Sequence, residues 1–278
     1  MERDLTKTFS DAAASYIEHG GEAKYLPKIV AEIGGSPLAS IIPFDIIQMA
    51  LKLLPDKSNA TRNRSVMTPV GAVLSHAHQR GWGPVIRLKR FKEDRPTRKR
   101  AASQIWIHAF IRQCEKDGLP HLAALVLFMS QTGARVSEAL RVNWPDLDLA
   151  NRTVLLLRAK NEKNSIRYLT DALVLRLFEL RQEAKLEAAV FRYKCRHSVN
   201  ERIKAVCNRA QIPYKPTHTC GRHAMANNAL ALGVHIKSTM IAGGWKSTAV
   251  FLDTYVNPRN SGRIVADKFN SYQYDTDI

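Results

Sequence analysis

TGARVSEAL, residues 132–140, follows directly on the apolar run LAALVLFMS, residues 122–130. A helix apolar on every side belongs in a protein interior, so the run predicts a central buried helix that stops at Thr132-Gly133, glycine being the usual residue just past a helix end. Arg135 and Glu138 then stand three positions apart, which puts their side chains on one helical face. They read as a guanidinium held by a carboxylate at the exit of the buried helix. What the guanidinium is held for must come from the rest of the chain.

The 278 residues exceed one ordinary domain and predict two. Hydrophobic residues make up 45%, enough for substantial cores. Lys and Arg number 42 against 25 Asp and Glu, a formal charge of +17, which calls for a polyanionic partner. Between nucleic acid and an anionic membrane surface, the absence of a convincing basic amphipathic helix argues against the membrane. No stretch has the length of a transmembrane helix, and the N-terminus MERDLTKTFSDAA lacks an apolar signal core, so a cytoplasmic protein is expected. Cys195, His197, Cys207, His218 and Cys220 crowd one region, but their spacing matches no structural zinc pattern; neither metal nor cofactor is expected.

Residues 1–86 read as a bundle of about four helices: FSDAAASYIEHG, EAKYLPKIVAEIGG, PFDIIQMALKLLP and TRNRSVMTPVGAVLSHAHQRGW. Thr8 or Ser10 caps the first, and Gly20, Gly34 and Gly81 mark stops. Arg62, Arg64 and Arg80 on the last helix are candidate phosphate contacts. RLKRFKEDRPTRKR, 87–100, carries eight basic residues against two acidic ones and reads as an extended or exposed connector, with Lys89, Arg90, Arg98, Lys99 and Arg100 as further DNA contacts. From residue 101 helices return, interrupted by TVLLL-RAKNEKN-SIRYLT, a hairpin with lysines at its tip. The fold class is therefore mainly α with a small β-hairpin sheet, an α+β catalytic part over 101–278.

Polar residues on apolar backgrounds are Arg135, Glu138, Lys160, His218, Arg222, His223, Trp245 and Tyr255. Fixed guanidinium groups stabilise charge spread over phosphoryl oxygens, and a tyrosine can serve as nucleophile, dividing one difficult step into two. The set suggests chemistry on a phosphodiester.

The order TGARVSEAL, hairpin lysine, THTCGRHAMA, AGGWKS and TYVN resembles the tyrosine recombinase, or phage integrase, family. The resemblance implies an N-terminal core-type, SAM-like DNA-binding domain and a catalytic domain closing around duplex DNA as a C-shaped clamp, with no separate arm-site domain. It implies that Arg135 and Arg222 hold nonbridging oxygens, with Glu138 and His223 in support. Lys160, with Lys163 as competitor, protonates the leaving 5′-oxygen; His218 and Trp245 complete the cradle, and Tyr255 forms a 3′-phosphotyrosine. It also implies a homo-tetramer on DNA from a protein monomeric when free, a Holliday junction, and a tail, NPRNSGRIVADKFNSYQYDTDI, docking on a neighbouring protomer.

Two departures stand out. His218 lies four residues before Arg222 where the family has three, with Gly221 as the extra residue, and Trp245 lies ten before Tyr255 where nine is commoner. Tyr272 and Tyr274 are rival nucleophiles in a polar tail, and Tyr168 and Tyr193 suit packing. Alternative functions are a DNA-binding regulator without catalysis and a type IB topoisomerase; the joint presence of Arg135, Lys160, Arg222 and Tyr255 favours the recombinase over the regulator.

Overall fold

The computed structural model describes residues 6–94, 99–157, 164–182, 189–256 and 261–271. They fall into two compact units, Met1–Thr97 and Arg98–Ile278.

The first unit is helical: α1 (Phe9–Glu18), α2 (Leu26–Ile33), α3 (Pro43–Leu53), and α4 (Asn59–Arg62), which passes through a π turn (Asn63–Met67) into α5 (Thr68–Gln79). Thr8 closes a capping box on α1, its hydroxyl accepting from the Asp11 amide while Asp11 accepts from the Thr8 amide at 2.9 Å. Phe9, Leu26, Ile29, Ile46, Val70 and Val73 form the core.

The basic run after Gly83 was expected to be a free connector. Its described residues are extended, but Ile86, Leu88 and Phe91 pack against the helical core while Arg87, Lys89 and Arg90 stay exposed. Asn63 fastens the strap from both sides, donating to the Phe91 carbonyl and accepting from the Phe91 amide, each at 2.9 Å. An amide side chain mimics a strand partner here, which is why a buried asparagine sits in the π turn. The packing carries the first unit through to Thr97, beyond the boundary read from composition.

The second unit begins with α6 (Gln104–Lys116) and α7 (Pro120–Thr132), then α8 (Val136–Ala139). Every residue of α7 from Leu122 to Ser130 is buried, as the apolar run requires. Strands β1 (Leu147–Asp148), β2 (Thr153–Leu156) and β3 (Ser165–Tyr168) form an antiparallel sheet in that order, with Val154 opposite Arg167 and Leu156 opposite Ser165. Then come α9 (Asp171–Gln182), α10 (Arg196–Arg209), α11 (Thr217–Cys220), α12 (Arg222–Ala231), α13 (Ile236–Gly243), α14 (Thr248–Tyr255) and α15 (Ser261–Asn270). Helices α6, α9, α11 and α12 all pack on α7, so the buried helix is the axle that sets the ends of its neighbours.

Candidate active site

Helix α7 ends in a left-handed glycine, Gly133 at φ 69°, and the chain turns at once into α8. Arg135 sits at that turn. Glu138 accepts its backbone amide on one carboxylate oxygen at 2.8 Å and its guanidinium on the other at 2.7 Å. Glu138 is 4% exposed and the Arg135 side chain 48%. The carboxylate is thus an anchor, and the guanidinium it orients still faces solvent, free to meet an anion.

Arg222 is placed by Gly221. The four-residue helix α11 stops there, and the backbone re-enters a helix with Arg222 first. A Cβ on Gly221 would lie 2.7 Å from the Thr217 carbonyl oxygen and 2.9 Å from Met129 Cβ, so only glycine fits. The extra residue between His218 and Arg222 is absorbed by this break. Arg222 is 5% exposed. Its Nη1 donates to the carbonyls of Gly133 at 2.7 Å and Gly243 at 2.8 Å, and Nη2 approaches that of Gly244 at 3.4 Å. The guanidinium carbon lies 3.9 Å from the centre of the Trp245 ring, a cation–π contact. Burial lowers the Arg222 pKa, and Arg135 adds to the effect; Tyr255, which shares a hydrogen bond with Arg222, opposes it.

The carbonyls converge because α7 and α13 end against each other: a Cβ on Gly133 would meet Gly243 Cα at 3.1 Å. Gly243 itself lies under the indole, where an added Cβ would fall 1.8 Å from Trp245 Cζ3. Gly243→Ala therefore displaces Trp245. We expect a loss of about 3 kcal/mol of stability, the upper end for overpacking, measured by chemical denaturation, whereas Gly262→Ala, with open space around it, shows no such loss.

Tyr255 is the last residue of α14 and 7% exposed. Its ring centre lies 4.5 Å from that of His223, 5.0 Å from Trp245 and 5.6 Å from Phe251. Phe251, one turn earlier on α14, packs edge-on against Trp245. The Trp245 Nε1 is buried without an acceptor among the described residues. His218 and His223 meet through their Nε2 atoms at 2.8 Å. His223 is 5% exposed, and its pKa is pushed down to about 4 by burial, then by His218, Lys99 and Arg222. His218 reaches solvent; desolvation and the cations Lys99, Arg222 and Arg196 lower its pKa as well.

Arg135, Glu138, His218, Arg222, His223, Trp245 and Tyr255 are thus assembled from α7–α8, α11–α12 and α13–α14. Lys160 and its competitor Lys163 lie outside the described residues, as does Arg98, and so do Tyr272 and Tyr274. Tyr168 is 80% exposed on β3. Lys99 is exposed and acts electrostatically on the histidine pair, and the backbone carbonyl of exposed Arg100 accepts from Lys215 at 2.9 Å. In the first unit, Arg64, Lys89 and Arg90 are exposed, Arg90 with a long bond of 3.4 Å to Thr68. Arg80 bonds His19 at 3.0 Å and lies over the Trp82 ring. Arg62 spends its donors on the Leu54 and Pro55 carbonyls and on Asn59, closing the end of α3. Sequence reasoning missed Asn63, Phe251 and the carbonyls of Gly133, Gly243 and Gly244; of these only Phe251, four residues before Tyr255, left a periodic signal.

No three residues of metal-ligand type gather among the described residues, and none of the described helices is long and apolar enough to cross a membrane. The profile of the Phage integrase family matches residues 104–261. Comparison with curated protein sequences found no match. Among solved structures, the chain is similar to the Tn1549 transposon integrase (residues 82–397) in complex with circular intermediate DNA, with 16% identity over 94% of this chain and 99% of that one and a TM-score of 0.71. It is similar also to the XerH site-specific recombinase bound to palindromic difH substrate, with 14% identity, 89% and 76% coverage and a TM-score of 0.69. A lambda integrase (residues 75–356) dimer bound to a COC′ core site gives 14%, 91% and 98%, and 0.67.

Proposed function

The chain belongs to the phage integrase family, and from that footing we propose that it is a tyrosine-type site-specific recombinase acting on duplex DNA. The observation that carries this reading is the position of Tyr255: its hydroxyl is bonded to a buried arginine, and its ring is wedged between His223 and Trp245. Few arrangements place a phenol beside so much fixed positive charge except to receive a phosphate.

In the proposed reaction Tyr255 Oη attacks the scissile phosphorus, a P–Oη bond forms, and the bond to the 5′-oxygen breaks. The products are a 3′-phosphotyrosine and a 5′-hydroxyl protonated by Lys160. Attack by a 5′-hydroxyl of a partner duplex reverses the step and joins new ends. The exposed guanidinium of Arg135 and the buried one of Arg222 neutralise the nonbridging oxygens. The orphaned Trp245 N–H is a donor that a phosphate oxygen would satisfy. The DNA-bound state of the similar recombinases supports duplex DNA as partner. Four protomers are proposed to assemble on two sites, with the exposed Ile264, Val265 and Phe269 of α15 meeting a neighbour.

The test is covalent capture on nicked suicide duplexes in the presence of a metal chelator. The expected result is a denaturation-resistant protein–DNA band that retains the strand ending in a 3′-phosphate. DNA binding without such a band on any substrate would put the non-catalytic regulator in its place. A band accompanied by supercoil relaxation without joining of two sites would point to topoisomerase activity.

A further inference from the structure

The two histidines bonded Nε2 to Nε2 are a consequence of the extra residue at Gly221, and their geometry constrains their protons. A bond of 2.8 Å between two imidazole nitrogens holds one hydrogen. When both rings are neutral, the ring that donates Nε2–H has a bare Nδ1, and the ring that accepts carries its hydrogen on Nδ1. A neutral pair therefore offers one acceptor and one donor at its two ends. His223 is the buried ring and lies against Tyr255; His218 is the ring that reaches solvent.

We propose that His223 and His218 form a two-ring proton relay that takes the Tyr255 phenolic proton during attack and delivers the resulting charge to the solvent side. The inference rests on Tyr255 being the nucleophile. As the Oη–P bond forms, the Oη–H bond breaks and the proton goes to His223 Nδ1. The hydrogen on His223 Nε2 passes to His218 Nε2, and His218, now an imidazolium, later releases a proton from Nδ1 to water. His223 ends neutral, so no cation is created in the buried position, where desolvation makes it costly. The charged groups facing the pair are Lys99 ahead of α6, Arg196 on α10 and Arg222 on α12, with Tyr255 of α14 against His223. These cations keep both rings neutral, and so able to accept, at neutral pH; DNA phosphates would offset their repulsion when the imidazolium forms.

Two measurements test this. Nitrogen-15 correlation spectra of the full-length free protein at pH 7 should show both rings neutral and in opposite tautomers; like tautomers, or an imidazolium, would overturn the relay whatever the protein does to DNA. The second uses His218→Gln, whose amide can keep the bond to His223 but cannot take up a proton. Covalent capture by this variant should fall ~100-fold at pH 7, within the usual range for loss of a proton-transfer group, with duplex binding unchanged, and should climb steadily with pH as solvent base takes over. A substrate with sulfur in place of the bridging 5′-oxygen, whose leaving group needs no proton, should leave that defect in place. Rescue by sulfur would put the pair on the leaving-group side, and a wild-type rate and pH profile would remove it from the reaction. Failure of the wild type itself to form a Tyr255-dependent adduct would instead strike at the recombinase reading, while the tautomers still decide whether the relay exists.

Discussion

Replacing Tyr255 by phenylalanine should abolish covalent capture of DNA, roughly a 10⁴-fold loss or more, as removal of a nucleophile does elsewhere, while leaving the fold nearly intact. The separation of the two effects follows from what the side chain does. Its ring fills the gap between His223, Trp245 and Phe251, and phenylalanine retains that packing. Only the hydroxyl goes, with its hydrogen bond to Arg222; such a bond contributes about 1 kcal/mol. DNA binding should be little changed, because no charge is lost. Tyr168→Phe serves as the control: that ring is on the surface of β3, and its variant should capture DNA as the wild type does. Full capture by Tyr255→Phe would leave the cluster around Arg222 without its chemical purpose and send the search for the nucleophile elsewhere.

How much of this was legible beforehand depends on whether a feature is written in side chains or in backbone. The buried axle α7 was plain from nine apolar residues in succession, and the Arg135–Glu138 pair from its spacing. The hairpin was plain from its change of period, and the cap at Thr8 from the aspartate three residues on. Gly221 was readable as an inserted residue, but the helix break it makes, and the meeting of two histidines beyond it, depend on Met129 and Thr217 crowding its Cα. The carbonyls that hold Arg222 leave no trace in residue types, since any residue supplies a carbonyl; only the glycines that allow α7 and α13 to touch hint at them. Arg62 shows the opposite failure. Positive charge in a basic segment reads as a phosphate contact, yet its donors cap the end of α3, because unsatisfied carbonyls at a helix end attract a nearby guanidinium as strongly as a nucleic acid does. The strap at 86–91 was hidden because three apolar residues in a basic run count for little until Asn63 is seen to bind its backbone.

Arg222→Ala should be the most damaging change to both stability and chemistry, and the two losses can be measured apart. The guanidinium is buried, bridges the Gly133 and Gly243 carbonyls, and lies on the Trp245 face. Its removal leaves two carbonyls without a donor and a void beneath the indole, for a cost of about 3–5 kcal/mol, read from chemical denaturation. Capture, corrected for the folded fraction, should fall a further ~10³-fold, the scale for loss of one fixed donor at a developing oxyanion. Arg222→Lys separates charge from shape: an ammonium keeps the charge but cannot span two carbonyls and a phosphate with one planar fork, so it should recover part of the stability and little of the rate. Arg135→Ala should reverse the balance. That guanidinium is half exposed and touches only Glu138 within the cluster, so the catalytic loss should be comparable and the structural loss smaller, limited to stranding one buried carboxylate. If Arg222→Ala lost stability but kept its rate per folded molecule, Arg222 would be a staple between the ends of α7 and α13. The transferred phosphate would then have to be held by Arg135 alone.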